Sequence, residues 1–275
     1  MKKFTKLFLA LIAGLFLVTL TACGSSSTKT DDTWKQVEKS KTITIGFDNT
    51  FVPMGFKDKD GTNKGFDIDL ADAVFKSYGI KVKWQPITWS LKEQELKNGN
   101  IDLIWNGYSK TPEREKLVTF SDTYMDGGTI LLTKKSSNIT TVEDMKGKTV
   151  GVQSGSSQYQ SFNDQPEILK NMVSGNSISQ YSTFEQGLLD VKNGRIDGLL
   201  VDSVYANYYL KQANETNDFN NFKINYEDSP MAVGARKGDT ELIDKVNAGI
   251  KKLVDNGEFA KISDKWFGKD VYPTK

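Results

Sequence analysis

Histidine is absent from this chain of 275 residues. Its absence removes the usual general base near neutral pH, any Ser-His-Asp triad and the commonest zinc ligand. Carboxylate chemistry stays open. Cysteine occurs once, as Cys23, so no internal disulfide can form. Net charge is nearly absent as well: the formal value is +1, which gives no reason to expect a nucleic-acid partner. The one long apolar run, Leu7 to Val18, is too short for a normal membrane span. Composition is otherwise ordinary, 37% hydrophobic and 26% charged, enough for one large or two small domains to bury cores.

The apolar run follows Lys2, Lys3 and Lys6 and ends in Leu20-Thr21-Ala22-Cys23. A charged segment followed by a short apolar one reads as a signal peptide over residues 1–22. Leu-Thr-Ala-Cys resembles a bacterial lipobox, in which the cysteine is acylated and becomes the new N-terminus; the alternative is a chance cysteine after an ordinary signal peptide. Removing the three lysines takes the formal charge from +1 to about −2. Two acyl chains on one cysteine suffice for stable anchoring. Residues 23–40 then read as a lipidated tether, flexible from Gly24 to Thr33.

Asn98 to Tyr124 is the most informative stretch. Ile101 to Trp105 reads as a buried strand and Asn106 to Lys110 as a loop. Thr111 is a good N-cap, Pro112 fits the first helical position, and Glu113 suits the positive end of the dipole. Arg114 opposes that dipole. A cation there, at the carboxyl end of a strand and beside free N–H groups, is suited to an anion. The plainer possibility is surface pairing with Glu113 or Glu115.

Strands and helices alternate along the rest, which implies a mainly parallel α/β sheet. Thr42 to Phe47 is a strand and Phe51 to Phe66 a hairpin-like excursion. Asp67 can cap a helix with Leu70, Ala71 and Val74 on its apolar face. Ser90 and Glu93 form a capping-box pattern, as do Thr183 and Gln186. Strands follow at 81–84, 129–133, 149–152 and 198–201, and Asp239 caps an amphipathic helix ending at Gly257. One segment recurs: Lys97-Asn98-Gly99-Asn100-Ile101-Asp102 returns 95 residues later as Lys192-Asn193-Gly194-Arg195-Ile196-Asp197. The echo suggests two lobes of like topology, with Asp102 and Asp197 structural at the strand starts.

Three strand ends offer polar groups: Gly107 to Arg114, the small-residue loop Ser154 to Ser157, and Asp202 after Leu199-Leu200-Val201. Each alone has a plain reading as a turn or a cap. Together, an arginine fork with N–H groups wants a carboxylate and an acid wants an ammonium, which fits a free α-amino acid.

At this point the chain resembles the extracytoplasmic substrate-binding proteins of polar amino-acid ABC transporters. The matching segments are Asp48 to Pro53, Gly65 to Leu70, Asn98 to Arg114 continuing to Phe120-Ser121-Asp122, Gly147 to Val152, Asn256-Gly257 and Lys265 to Gly268. The resemblance implies a two-lobed periplasmic-binding-protein-like α/β fold of type II, with two hinge crossings and ligand in the cleft. It implies that Arg114 grips the ligand carboxylate, assisted by Ser109 and the N–H near Ser157. Asp202 and the Gly107 carbonyl would hold the ammonium, Phe51 and Trp89 would flank the side chain, and Asp48 would face its far end. Trp105 and Tyr108 add bulk near the cleft mouth. Gln153 and Val201 depart from glutamine binders, which can carry lysine and histidine there.

The expected protein is a monomeric, lipid-anchored receptor on the outer face of the membrane, not an enzyme and without cofactor or metal. It would deliver a polar L-amino acid (cationic, amide or cystine) to a permease and its ATPase. Lobe one is expected at 41–128 plus 227–275, and lobe two at 129–226. The alternatives are a dehydratase of a small carboxylic acid on the same scaffold, with Asp48 as acid or base, and a ligand-sensing module.

Overall fold

A computed structural model describes residues 32–228 and 230–273; the signal peptide, Cys23 and the first part of the tether lie outside them. In chain order the first elements are α1 (Thr33–Ser40), β1 (Thr42–Phe47), β2 (Thr50–Phe51), β3 (Gly55–Lys57), β4 (Asn63–Lys64), α2 (Phe66–Lys76) and β5 (Lys81–Pro86). Then come α3 (Lys92–Lys97), β6 (Leu103–Ile104), α4 (Pro112–Leu117), β7 (Val118–Phe120), β8 (Thr129–Lys134), β9 (Val150–Gln153), α5 (Ser157–Asp164) and β10 (Ser179–Tyr181). The series closes with α6 (Phe184–Lys192), β11 (Gly198–Asp202), α7 (Ser203–Gln212), β12 (Phe219–Lys223), β13 (Gly234–Arg236), α8 (Thr240–Asp255) and α9 (Glu258–Phe267).

Two five-stranded sheets result, ordered β5-β1-β6-β13-β7 and β10-β9-β11-β8-β12. Each has two parallel pairings followed by two antiparallel ones, so one strand, β13 or β8, runs against the other four. The repeated segment occupies the same place in both. Asp102 Oδ2 accepts from Thr44 N at 2.9 Å, and Asp197 Oδ2 from Thr149 N at 2.8 Å. Each aspartate N–H returns a bond to the same threonine's carbonyl. A Cβ on Gly46 would lie 2.5 Å from Ile101 Cδ1, and one on Gly151 2.6 Å from Ile196 Cδ1. Both isoleucines therefore pack onto a glycine of the neighbouring strand, β1 or β9, and both aspartates pin the start of one strand to its neighbour.

The chain passes between the sheets at 121–128 and at 224–233. These passages run side by side: Tyr124 N donates to Met231 O at 3.0 Å and Met231 N to Met125 O at 2.8 Å.

Several local expectations change. The tether does not reach residue 40, because 33–40 is helix α1: Asp32 accepts from Trp34 N, and Trp34 and Val37 are buried. Trp34 meets Tyr78 edge-on at 5.3 Å. Two apolar side chains four or fewer positions apart could not stay in water without losing their burial energy. The strand expected at 101–105 shortens to 103–104, although Asp102 N and Trp105 N still donate to Thr44 O and Gly46 O of β1. The Ser90–Glu93 capping box does not form; a 3₁₀ turn at 89–91 leads into α3, and Glu93 points to Tyr108 and Lys92 instead. Asp67 lies inside α2, whose N-cap is Gly65, and is fully buried. Asp239 stands at the N-cap of α8, but Asp32 accepts from Glu241 N and Leu242 N, while Asp239 binds Thr33.

Helices α2 and α8 cross at Gly249, where an added Cβ would lie 2.6 Å from Val74 Cγ1. Overpacking costs roughly 1–3 kcal/mol, and better helix propensity returns about 1. Gly249→Ala should therefore lower the melting temperature by a few degrees, and Val74→Ala in the same chain should recover part of the loss. Additive losses in a double-mutant cycle would contradict this contact.

Candidate functional site

Arg114 owes its place to the start of α4. Thr111 Oγ1 accepts from Arg114 N at 3.3 Å and Pro112 opens the helix. The side chain turns inward and is 5% exposed. Nη1 donates to Ser109 O at 2.9 Å and Nη2 to Gly155 O at 3.1 Å, from the sides of the two different sheets. The guanidinium lies 4.7 Å over the Tyr108 ring, and Nε is 3.8 Å from Glu93 Oε1. Surface pairing with Glu113 or Glu115 does not occur: Glu113 accepts from Gln160 and Glu115 pairs with Lys110.

All eight residues singled out as ligand contacts (Asp48, Phe51, Trp89, Gly107, Ser109, Arg114, Ser157 and Asp202) line one small cavity. Gln153, Ser156, Gln158 and Phe184 complete its wall. Asp48 holds a turn and faces the cavity at once. Oδ1 accepts from Thr50 N and Oγ1, while Oδ2 accepts from Gln153 Nε2 at 2.6 Å. Phe51 stacks on Tyr205 at 6.0 Å and leans on Phe184 at 5.6 Å. Gly107 has φ +56° and Phe51 Cε1 would sit 2.6 Å from its Cβ, so only glycine lets that ring close against the backbone. Ser109 and Ser157 hydroxyls meet across the cleft at 3.0 Å. Ser156 caps α5 by accepting from Tyr159 N; the earlier N–H groups of a first turn have no partner within their helix.

Asp202 caps α7 through Val204 N at 3.0 Å. Burial pushes its carboxyl up to about 7, opposed by that N–H. A carboxylate so enclosed is stabilised by an incoming cation. Trp105 and Tyr108 are not at the mouth, since both are wholly buried. Trp105 packs behind the site against Phe75 and Tyr124, and Tyr108 lies under Arg114 with its hydroxyl on Glu93 Oε1 at 2.9 Å. Among the described residues no group of three or more His, Cys, Asp or Glu side chains could hold a metal ion.

The family pattern of the bacterial extracellular solute-binding proteins, family 3, matches residues 43–269. The chain belongs to this family. Over 263 residues it is 33% identical to the arginine-binding extracellular protein ArtP of Bacillus subtilis (strain 168), covering 95% of this chain and 98% of that one. It is 32% identical to the L-cystine-binding protein TcyA of the same organism, covering 97% and 98%. Among solved structures, an ABC uptake transporter substrate-binding protein from Streptococcus pneumoniae with bound histidine superposes with a TM-score of 0.88. Sequence identity there is 56%, over 89% of this chain and 99% of that one. The periplasmic-binding-protein-like two-domain α/β fold is thereby established.

In and around this cavity, Lys92 looks in sequence like a solvated helix position and Glu93 like a capping residue. Gln153 was marked only by its departure from glutamine binders, and Phe184 gains meaning only once the second sheet faces the first. Asp67 did carry a signal: it shares the apolar face of Leu70 and Ala71. Its Oδ2 accepts from Gly107 N at 2.6 Å and Tyr124 Oη at 3.0 Å, so it holds the cavity floor. Burial raises its carboxyl from 3.8 to about 7, against those two bonds. Asp67 thus binds its proton more tightly folded than unfolded. Its contribution is complete below pH 3.8 and is lost as the pH rises through about 7. That difference corresponds to on the order of 4 kcal/mol. In urea unfolding, the wild type should lose ground to Asp67→Asn steadily between pH 4 and pH 7.5. A stability difference that does not change with pH contradicts this assignment.

Proposed function

We propose that this protein is the external receptor of an ABC importer and captures a polar L-amino acid as a monomer. The observation that carries this reading is one guanidinium and one buried carboxylate, Arg114 and Asp202, lining one small cavity from different sheets. Arg114 takes the ligand carboxylate, assisted by Ser109 and the start of α5 at Ser157. Asp202, with the Gly107 carbonyl, takes the ammonium. Of the charged side chains lining the cavity, Arg114 is positive and Asp48 and Asp202 are negative. A zwitterion occupies Arg114 and Asp202, leaving Asp48 to select the side chain. An N–H-bearing group, cationic or amide, or the ammonium end of cystine, complements it. Such a ligand shares or displaces the Gln153 amide, while Phe51 and Trp89 flank it. A dehydratase is disfavoured because both Asp48 oxygens are already engaged, by Thr50 and by Gln153.

Lobe one is assigned to 41–128 plus 227–275 and lobe two to 129–226. The partition of strands between the sheets supports this assignment. Contacts of one ligand to Arg114 and to Ser157 and Asp202 require both lobes together, so the ligand favours the closed state. Gly127-Gly128 and the region of Tyr226 are the hinges, and the closed form is what the permease reads. Cys23 supplies the anchor at the outer face of the cell membrane; no described helix is long and apolar enough to cross one.

Calorimetry with L-arginine, L-histidine, L-glutamine and L-cystine tests the site. Arg114→Ala and Asp202→Asn should each weaken every ligand that the wild type binds. Truncating one partner of a buried charge pair costs roughly 2–5 kcal/mol, or about 30-fold to several thousand-fold. Near-native affinity in either variant removes that residue from the assignment. Separately, mass spectrometry of cell-derived protein should find residues 1–22 gone and Cys23 acylated; an unmodified Cys23 in the mature chain ends the anchor proposal.

A further inference from the structure

Lys92 is 2% exposed, in the first turn of α3 and outside the cavity wall. Its ammonium has three donors, and the structure supplies three acceptors: Glu93 Oε1 at 3.1 Å, Trp89 O at 3.2 Å and Gly155 O at 2.8 Å. Two of these lie on its own segment. The third and shortest crosses the cleft to the loop that opens α5. The ammonium lies against two aromatic rings, with Nζ 4.9 Å from the Trp89 ring centroid and 5.9 Å from that of Tyr108. An apolar side chain would fill such a slot without the cost of burying an ammonium, so packing alone does not account for the amine. Burial pushes that amine down to about 7, and neighbouring Arg114 adds to the effect while Glu93 opposes it.

Gly155 is a close-fitting seat. Its φ is +72°, and a Cβ there would lie 2.7 Å from Ser90 Cα across the cleft. Its carbonyl accepts from Arg114 Nη2 as well. Ser156, Ser157 and Gln158, immediately after it, line the cavity.

We propose that Lys92 is a positioning residue for carboxylate capture: by bonding Gly155 O when the cleft closes, it seats the loop and the first turn of α5 against the ligand carboxylate. The proposal rests on the receptor reading above. It adds a second cation that never touches ligand, is satisfied in full only in the closed state, and supports Arg114 by sharing two of its three acceptors, Gly155 O and Glu93. Since it acts at the end common to all amino acids, its effect is blind to the ligand side chain.

The test compares wild type with Lys92→Met, and with Lys92→Gln as a second variant should the first fail to fold. Calorimetry and stopped-flow tryptophan fluorescence with L-arginine, L-histidine and L-cystine give affinity and dissociation rate. Loss of one hydrogen bond to a charged group predicts an affinity about 10- to 100-fold weaker. The loss should fall in the dissociation rate and by the same factor for every probe the wild type binds. The melting temperature of the free variant should be unchanged or higher. Affinity within twofold of wild type, a loss confined to one probe, or a free-protein melting temperature that falls along with affinity overturns the proposal while leaving the receptor reading intact. Absence of binding by wild type to any probe overturns both.

Discussion

A guanidinium at 5% exposure must be supplied with acceptors, and Arg114 draws its own from three parts of the chain. Ser109 O comes from the loop before α4, Glu93 from α3, and Gly155 O from across the cleft. Tyr108 gives it a π face. None of these is a carboxylate in bidentate contact, so the fork is oriented without being neutralised by a close ion pair. That is the state in which an arginine recognises an incoming anion. The wholly buried Tyr108 and the α4 cap fix the position of the fork, and the Gly155 contact joins it to the loop before α5.

The scaffold that delivers these groups is built twice. Asp102 and Asp197 each exchange two bonds with a threonine in or just before the neighbouring strand, and Ile101 and Ile196 each pack on a glycine of that strand. One turn and one aspartate thus set the register of β6 on β1 and of β11 on β9. With register set, the carboxyl ends of the strands deliver Asp48 and Gln153 to one place. Register in a sheet with buried faces is strongly determined, because a slip of one residue exposes the core.

The internal echo, the cap at Thr111 and the placing of Asp202 after an apolar run were readable in the sequence because each depends on neighbours within a few residues. So was the likeness of the two sheets. What was not readable depends on distant partners. Glu93 and Ser90 satisfy a capping pattern, yet Glu93 has a stronger use against Tyr108 and Lys92, and tertiary contact overrides the local motif. Asp239 stands at a helix start, but Asp32, more than 200 positions away, supplies the cap. Trp105 and Tyr108 are large and polar-tipped, a pattern that suits a cleft mouth as well as a core. Only their neighbours Phe75, Tyr124 and Arg114 decide for the core.

In the proposed receptor, closure sets hydrogen bonds across the cleft against the cost of burying charge. The bonds that cross the cleft are few: Ser109 to Ser157, Gln153 to Asp48, Thr111 to Gln160, Gln160 to Glu113, and Lys92 and Arg114 to Gly155 O. Each replaces a bond to water, so its net contribution is about 0.5–1.5 kcal/mol, or up to about 3 where a charge takes part. Against them stand the buried Asp202 and Lys92, whose charged forms burial disfavours. In the proposed receptor, one additional partner for Asp202 and Arg114 would add to the contacts that favour closure. A ligand able to bind both charges at once has the differential affinity that shifting such an equilibrium requires. A ligand that satisfies only one leaves the other's desolvation unrelieved. Under the receptor reading proposed above, the cleft would therefore discriminate first for the zwitterion, and only then, through Asp48 and the aromatic faces, for what the zwitterion carries.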